Sequence, residues 1–260
     1  MTTVAKHAKS AEANAQEIAV RACSGLSEFA TCIEIERAVW GSADVDVVPL
    51  PLFVVAAETG GQVLGAFAGD RMIGFTLAIA GVHRRKPFLH SHMTAVLRPF
   101  RNQGAARKLK QFQRQEALDR GIDLIEWTFD PLEVRNAHFN FRLGSIVRRF
   151  IPNMYGLTTS PLHGGLPTDR LVAEWHLRSA RVRRALSDKR HRKSRGKEFA
   201  RIRVPADFAT IRATKPEEAA RLQAEVRQEF EHWVVSGYAA TGINITDDAA
   251  EYLLEPWTEK

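Results

Sequence analysis

The sequence predicts an α/β protein built on a layered sheet, and three observations carry that prediction. Short apolar runs alternate with amphipathic stretches of near-helical period through residues 62–178. Hydrophobic residues make up 45% of the 260, enough for a real core. No apolar run approaches the ~18 residues of a membrane span, and no signal peptide is evident; with only two cysteines, Cys23 and Cys32, this points to a cytoplasmic protein with buried free thiols.

The elements follow in order. Residues 1–15 read as a frayed helix or tail, and 18–40 as helix divided at Gly25. In "PLPLFVVAAETGG" the prolines suit a first helical turn and the glycine pair a stop. "QVLGAFAGDRMIGFTLAIAGV" reads as a β-hairpin turning at Gly69 and Asp70, and "PFLHSHMTAVLRP" as a third strand closed by Pro99. A helix from about Gly104 to Arg120 carries Ala105, Leu109 and Phe112 on one stripe and stops at Gly121. "IDLIEWTFDP" alternates as a strand, with Ile125, Trp127 and Phe129 on one face and Leu124, Glu126 and Thr128 on the other. A helix ending at Gly144 follows, then two strands, "SIVRRFIPNMYG" and "RLVAEWHLRS", around a long loop containing "HGGLPTDR". Residues 200–260 add a strand, a helix from about Lys215 to Ser236 and the strand "YAATGINI". The expected organisation is an N-terminal helical tail (1–26), a main domain (27–178), a basic linker (179–203) and a C-terminal extension packed on the domain (204–260).

The net charge of +7 is not spread over the fold. Between Arg178 and Arg203 lie 12 basic residues against two acids, while the other 25 basic residues meet 28 acids. With Phe199 as its only aromatic, no recognised nucleic-acid motif and folded parts on either side, this stretch reads as a solvated linker or helix. A membrane partner is not expected, and a nucleic-acid-associated protein using this stretch is the lesser alternative.

"LRPFRNQGAARKLK" delivers a strand through small residues into a helix whose first N–H groups are unpaired. Those donors, the helix dipole and Arg98, Arg101, Arg107 and Lys108 suit a phosphate or pyrophosphate, which small side chains at Gly104, Ala105 and Ala106 let approach the backbone. Neither a Walker A loop nor a three-glycine dinucleotide fingerprint is present.

Arg101-x-x-Gly104-x-Ala106, placed between a strand and a helix, resembles the acyl-CoA-binding motif of the GNAT acyltransferase superfamily. The order of elements over residues 27–178 resembles it too. "LHSHMTAV", "GIDLIEWTFDPLEVRNAHFNFRLGSIVRRFIPNMYG" and "GGLPTDRLVAEW" resemble a bacterial subgroup of long GNAT proteins with a C-terminal extension. The resemblance implies a mixed, mostly antiparallel sheet flanked by helices, whose third and fourth core strands splay around the pantetheine arm of CoA. It further implies acetyl-CoA or another acyl-CoA as cosubstrate, no metal, and transfer of an acetyl or related acyl group, succinyl included, to a small-molecule amine such as an amino acid. A homodimer is left open.

The cofactor-binding positions carried over are Ala95, Val96, Leu97, Arg101, Asn102, Gln103, Gly104, Ala105, Ala106, Asn136 and Asn140, with a backbone N–H near Ala95 or Val96 as oxyanion donor. Strand alternation places His90, His92, Thr94 and Val96 on one face. His92 is a candidate base, or the two histidines are core and partner-facing residues; a His-x-His metal pair lacks a third ligand at a recognisable spacing. Glu126 is either paired with Arg148 or Arg149 or serves as the base. Asp130 reads as a turn former or helix cap. Where many GNAT proteins carry a tyrosine, four residues before the glycine ending the helix, this sequence has Asn140, which cannot supply a proton; the alternative function is a noncatalytic acyl-CoA-binding or sensing protein on the same fold. Tyr155 is the alternative acid, or an interface aromatic. Arg148, Arg149 and Arg170 either bind a carboxylate of the acceptor or acyl group or form a solvated basic face.

Overall fold

The computed structural model describes residues 17–41, 47–156, 158, 163–187 and 200–258. Seventeen regular elements run in the order β1 (Ile18–Ala22), α1 (Gly25–Trp40), α2 (Leu50–Glu58), β2 (Gln62–Ala68), β3 (Arg71–His83), β4 (Lys86–Val96), α3 (Ala105–Asp119), β5 (Leu124–Phe129), α4 (Val134–Arg142), β6 (Ile146–Ile151), β7 (Arg170–His176), α5 (Ala180–Leu186), β8 (Ala200–Pro205), α6 (Phe208–Thr214), α7 (Pro216–Val235), β9 (Tyr238–Ile245) and β10 (Ala249–Pro256). The strands form one sheet in the order β1-β2-β3-β4-β5-β7-β6-β9-β10-β8. Each neighbouring pair is antiparallel except β4 and β5. The mixed, mostly antiparallel sheet expected from the sequence is present.

The expectation of helix at residues 18–22 is corrected: they form an edge strand on β2. "IAVRA" alternates over only five residues, too short to announce itself locally. What fixes it is tertiary. The Lys108 Nζ donates to the Ile18 carbonyl at 2.8 Å, and Arg21 lies over the Phe67 ring while donating to Glu28 at 2.8 and 2.5 Å. Gly25 opens α1 rather than dividing a longer helix. Cys23 and Cys32 are free, and Cys32 is buried against Met72.

Helices cover the two faces of the sheet. Phe29, Cys32 and Ile35 of α1 and Phe53 and Ala56 of α2 pack on Phe75, Leu77 and Ala95. Ala105 and Leu109 of α3 pack on the opposite face, against Leu64, Ile73 and Val96. The largest cluster joins Ala117 to Trp127, Ala137, Trp175, Val226, Phe230 and Tyr252.

Residues 200–258 continue the sheet: β9 pairs with β6 through Val147 and Ala240, and β10 lies between β9 and β8. The sequence showed β8, α7 and β9; α6 and β10 went unread. Phe230 stacks on Phe150 at 5.8 Å and meets Tyr252 edge-on at 5.0 Å. Of the linker expected at 179–203, 180–186 form α5 and 200–203 belong to β8, while 188–199 lie outside the described residues.

The Tyr252 hydroxyl donates to the Pro131 carbonyl at 2.6 Å inside the core. Tyr252→Phe leaves that carbonyl unpaired and should cost about 1–2 kcal/mol in urea unfolding; unchanged stability would remove this bond as a tie between β10 and the β5–α4 turn.

Candidate active site

β4 and β5 run parallel but are paired only at Leu89 with Ile125 and His90 with Glu126. Beyond these pairs, Ser91–Val96 and Trp127–Phe129 have no strand between them, and β5 turns to β7 instead. A gap therefore opens from Ser91 and Trp127 toward the end of β4.

At that end the chain makes a 3-10 turn over Arg98–Phe100 and enters α3. Asn102 (φ 63°) and Gly104 (φ 86°) are both left-handed. This conformation accounts for the glycine, since a Cβ at Gly104 would meet nothing within 4 Å. The first helical hydrogen bond here runs from the Lys108 N–H to the Gly104 carbonyl. The preceding N–H groups thus have the orientation that accepts an anion, and no side chain caps them. Gln103 is turned back, its Nε2 donating to the Pro99 carbonyl at 2.9 Å.

The surrounding cations do not all face the turn. Arg101 Nε donates to the Val96 carbonyl at 3.1 Å, Arg107 to the Leu186 carbonyl at 3.2 Å and Lys108 to that of Ile18. Arg107 and Lys108, expected as phosphate charge, brace the turn against α5 and β1.

The expected alternation along β4 is corrected as well. The β3–β4 register slips between Leu77 and Ala78, leaving His92 as an extra residue. Before the bulge Leu89 and Ser91 face α3; after it Val96 does, while Met93 and Ala95 join the α1–α2 core. His90 and Val96 are therefore on opposite faces. Burial and then the nearby His92, Lys110 and Arg149 lower His90 to about 4, so its ring is neutral at neutral pH. His92 is exposed at the bulge, with partial desolvation holding it below its ordinary value.

The face of β5 away from α3 carries a charged row. Glu126 accepts from Arg149 at 2.6 Å. Its neighbour across β7, Glu174, accepts from Arg148 at 2.6 Å and lies 3.1 Å from His176. A bulge between Val147 and Arg149 lets two consecutive arginines reach this one face. Glu174 is buried, which raises its pKa, but its His176 and Arg148 hydrogen bonds outweigh that and hold it below the usual value. Next along, the Tyr155 hydroxyl meets Thr128 Oγ1 at 2.9 Å, and Arg170 lies over its ring. Arg170 is itself engaged by His163 at 2.8 Å, the Asp169 carbonyl and Asp130 at 3.9 Å. Asp130 accepts from Leu132 N–H as the turn former expected, its carboxyl raised mainly by burial. Glu126, Arg149 and Tyr155 thus share a face, while Arg148 and Arg170 are tied to internal anions.

On α4, Asn136 is exposed and Asn140 is 2% exposed, its Nδ2 without a hydrogen-bond partner among the described residues. A buried, unsatisfied donor is costly unless a ligand completes it. The left-handed turn, the open strand edge and this orphan donor suit an extended thioester carrier with a phosphate end. Among the described residues no cluster of His, Cys, Asp and Glu could hold a metal, and no helix is long and apolar enough to cross a membrane.

One residue escaped the sequence reading. Lys110, on α3, is 3% exposed. Its Nζ donates to Ser91 Oγ at 2.8 Å and Gln113 Oε1 at 3.0 Å and sits 4.3 Å from the Trp127 ring centroid. Burial lowers it from 10.5 to about 7. A signal existed: Lys110 and Gln113 fall on the buried stripe with Ala105, Leu109 and Ala117, where a cation has no reason to lie for solubility.

A strand edge that opens beside an uncapped helix terminus is the arrangement against which the chain can be compared with known proteins. Residues 30–144 match the acetyltransferase (GNAT) family. No curated protein matches the chain. Among solved structures, a GNAT-family protein from Desulfovibrio desulfuricans is similar at TM-score 0.52 and 12% identity, over 62% of this chain and 99% of that one. The ribosomal-protein-S18-alanine N-acetyltransferase of Escherichia coli is similar at TM-score 0.50 and 15% identity, over 63% and 96%. A chain of the NatC complex bound to Gag peptide and CoA is similar at TM-score 0.51 and 14% identity, over 62% and 98%.

The buried lysine has a measurable cost. Between pH 10.5 and about 7 the unfolded chain holds a proton that the folded chain gives up, so stability falls as pH falls through this window. Lys110→Met should raise Tm by at least ~3 °C at pH 7, with the advantage shrinking toward pH 10 in calorimetry. A lower Tm at pH 7 would mean that the lysine's contacts outweigh its desolvation.

Proposed function

We propose that the protein transfers an acetyl or related acyl group, succinyl included, from CoA to the amine of a small molecule such as an amino acid. The observation that carries this reading is the parting of β4 and β5 after two residue pairs, beside the left-handed turn into α3. Ala95, Val96 and Leu97 offer the backbone edge for the pantetheine arm. The N–H groups of Asn102, Gln103, Gly104, Ala105 and Ala106 face the pyrophosphate, Arg101 holding the turn through the Val96 carbonyl. Asn140 Nδ2 donates to the arm, with Asn136 nearer its exposed end.

The acceptor occupies the charged face. Glu126 takes a proton from the attacking amine, held in place by Arg149 at 2.6 Å, and His92 at the bulge is the other base within the gap. A β4 N–H near Ala95 or Val96 donates to the developing oxyanion. Tyr155, on the same face as Glu126, orients the acceptor and is the acid first suggested by the sequence. Arg149 is the arginine of the three best placed to meet an acceptor carboxylate, since Arg148 and Arg170 already hold buried anions.

Free CoA thiol should appear from acetyl- or succinyl-CoA only when an amine is added, in a panel of amino acids, polyamines and N-terminal peptides. Binding with no amine-stimulated release would leave a carrier-binding protein; release with peptides alone would move the acceptor to protein N-termini. Gly104→Glu should weaken acyl-CoA binding at least ~10-fold by calorimetry, because a carboxylate enters the phosphate approach. Glu126→Gln should lower kcat about 100-fold or more with acyl-CoA affinity unchanged, and small equal losses there and in His92→Gln would assign the base to neither.

A further inference from the structure

Lys110 has no part in the reading above, although it stands where the sheet divides. The last paired residues of β4 and β5 are His90 and Glu126. The next ones, Ser91 and Trp127, are the two that Nζ touches, at 2.8 Å from the hydroxyl and 4.3 Å from the ring centroid. The amine thus bridges the strands at the apex of the gap. Its third contact, Gln113 Oε1, is neutral like the others, and no carboxylate forms an ion pair with it among the described residues.

The six residue steps from Leu97, just past the end of β4, back to Ser91 span about 20 Å. An arm of two amide units and a cysteamine thiol laid along this edge from the α3 turn carries its sulfur toward the apex. Trp127 meets Trp175 edge-on, and the Trp175 indole donates to the Leu143 carbonyl at the end of α4, so the helix of Asn140 borders the same side. Tyr155 lies on the other face, bonded to Thr128.

We propose that Lys110 is the proton donor to the CoA sulfur, placed by Ser91, Gln113 and Trp127 at the floor of the gap. The inference rests on the acyl-transfer reading. As the amine nitrogen bonds to the thioester carbon, the carbon–sulfur electron pair passes to sulfur, and the Nζ proton follows it. The product is a thiol and a neutral Lys110, while the proton lost by the attacking amine goes to the base on the opposite face. Solvent exchange then returns a proton to Nζ. Burial, which holds this amine near neutrality, suits a group that must both give and regain a proton.

Other ionisable groups flank it: His90 and His92 on β4, Glu126 with Arg149 across β5, and Arg114 and Glu116 on α3. A test must therefore single out the sulfur. CoA thiol bound to the protein can be titrated by its ultraviolet thiolate absorption, with desulfo-CoA as the blank and binding measured by calorimetry. In the unsubstituted protein the bound thiol should ionise at least one pH unit lower than in Lys110→Met, a tenfold difference in proton affinity, with both proteins binding CoA. Identical titrations in two CoA-binding proteins would overturn the proposal. Failure of the unsubstituted protein to bind CoA at all would instead sink the reading on which it rests. Turnover supplies the second arm: Lys110→Met and Lys110→Arg should both lose about 100-fold or more in kcat, because arginine keeps the charge but does not release a proton. Restoration by arginine would reduce Lys110 to a fixed charge and overturn the donor role.

Discussion

The parting of two parallel strands is the constraint on which the rest of the structure depends. A β-sheet satisfies its backbone by pairing, and an interior strand that abandons its neighbour leaves donors and acceptors facing a void. β4 and β5 do this after two residue pairs, in the middle of a ten-stranded sheet. Antiparallel pairing on both outer sides, β3 with β4 and β5 with β7, holds the halves together without closing the gap. An extended ligand can then enter as a short additional strand, its affinity coming from main-chain hydrogen bonds.

Around the gap, charge is handled in two opposite ways. On the face of β5 away from α3 the carboxylates have cations: Glu126 has Arg149 and Glu174, beside it on β7, has Arg148. Two consecutive arginines can serve two neighbouring glutamates because the bulge in β6 breaks strict alternation. On the α3 face Lys110 is surrounded by a hydroxyl, an amide and an indole. The first arrangement stabilises a fixed geometry. The second keeps a proton loosely held in a low-dielectric place, and such local costs are expected where a fold performs chemistry.

The C-terminal segment belongs to the same physical unit. β6 would otherwise be the sheet's exposed edge; β9 covers it, and Tyr252 and Phe230 fill the space between α4 and α7. Asp169 is held by Arg227 of α7 at 2.8 Å and in turn accepts from Asn153 N–H, steadying the chain on either side of Tyr155. The extension therefore braces the segment that carries Tyr155.

Period and punctuation determined much of this locally. An apolar stripe at helical spacing marked α3, proline and glycine punctuation marked α2 and the end of α4, and strict alternation marked β5 with its buried Ile125, Trp127 and Phe129. The glycine turn was legible because a left-handed residue at a helix entrance has few alternatives to Gly104. Only the tertiary structure decided what depends on partners distant in sequence. β1 is a strand because β2 needed an edge partner and Lys108 could hold it there. The two bulges chose which histidine and which arginines lie on the face away from α3, since an extra residue reverses every later side chain and leaves no local mark. Lys110 looked like one more basic residue on an amphipathic helix; its role depends on Ser91 and Trp127, brought together from two strands at the one place where they separate.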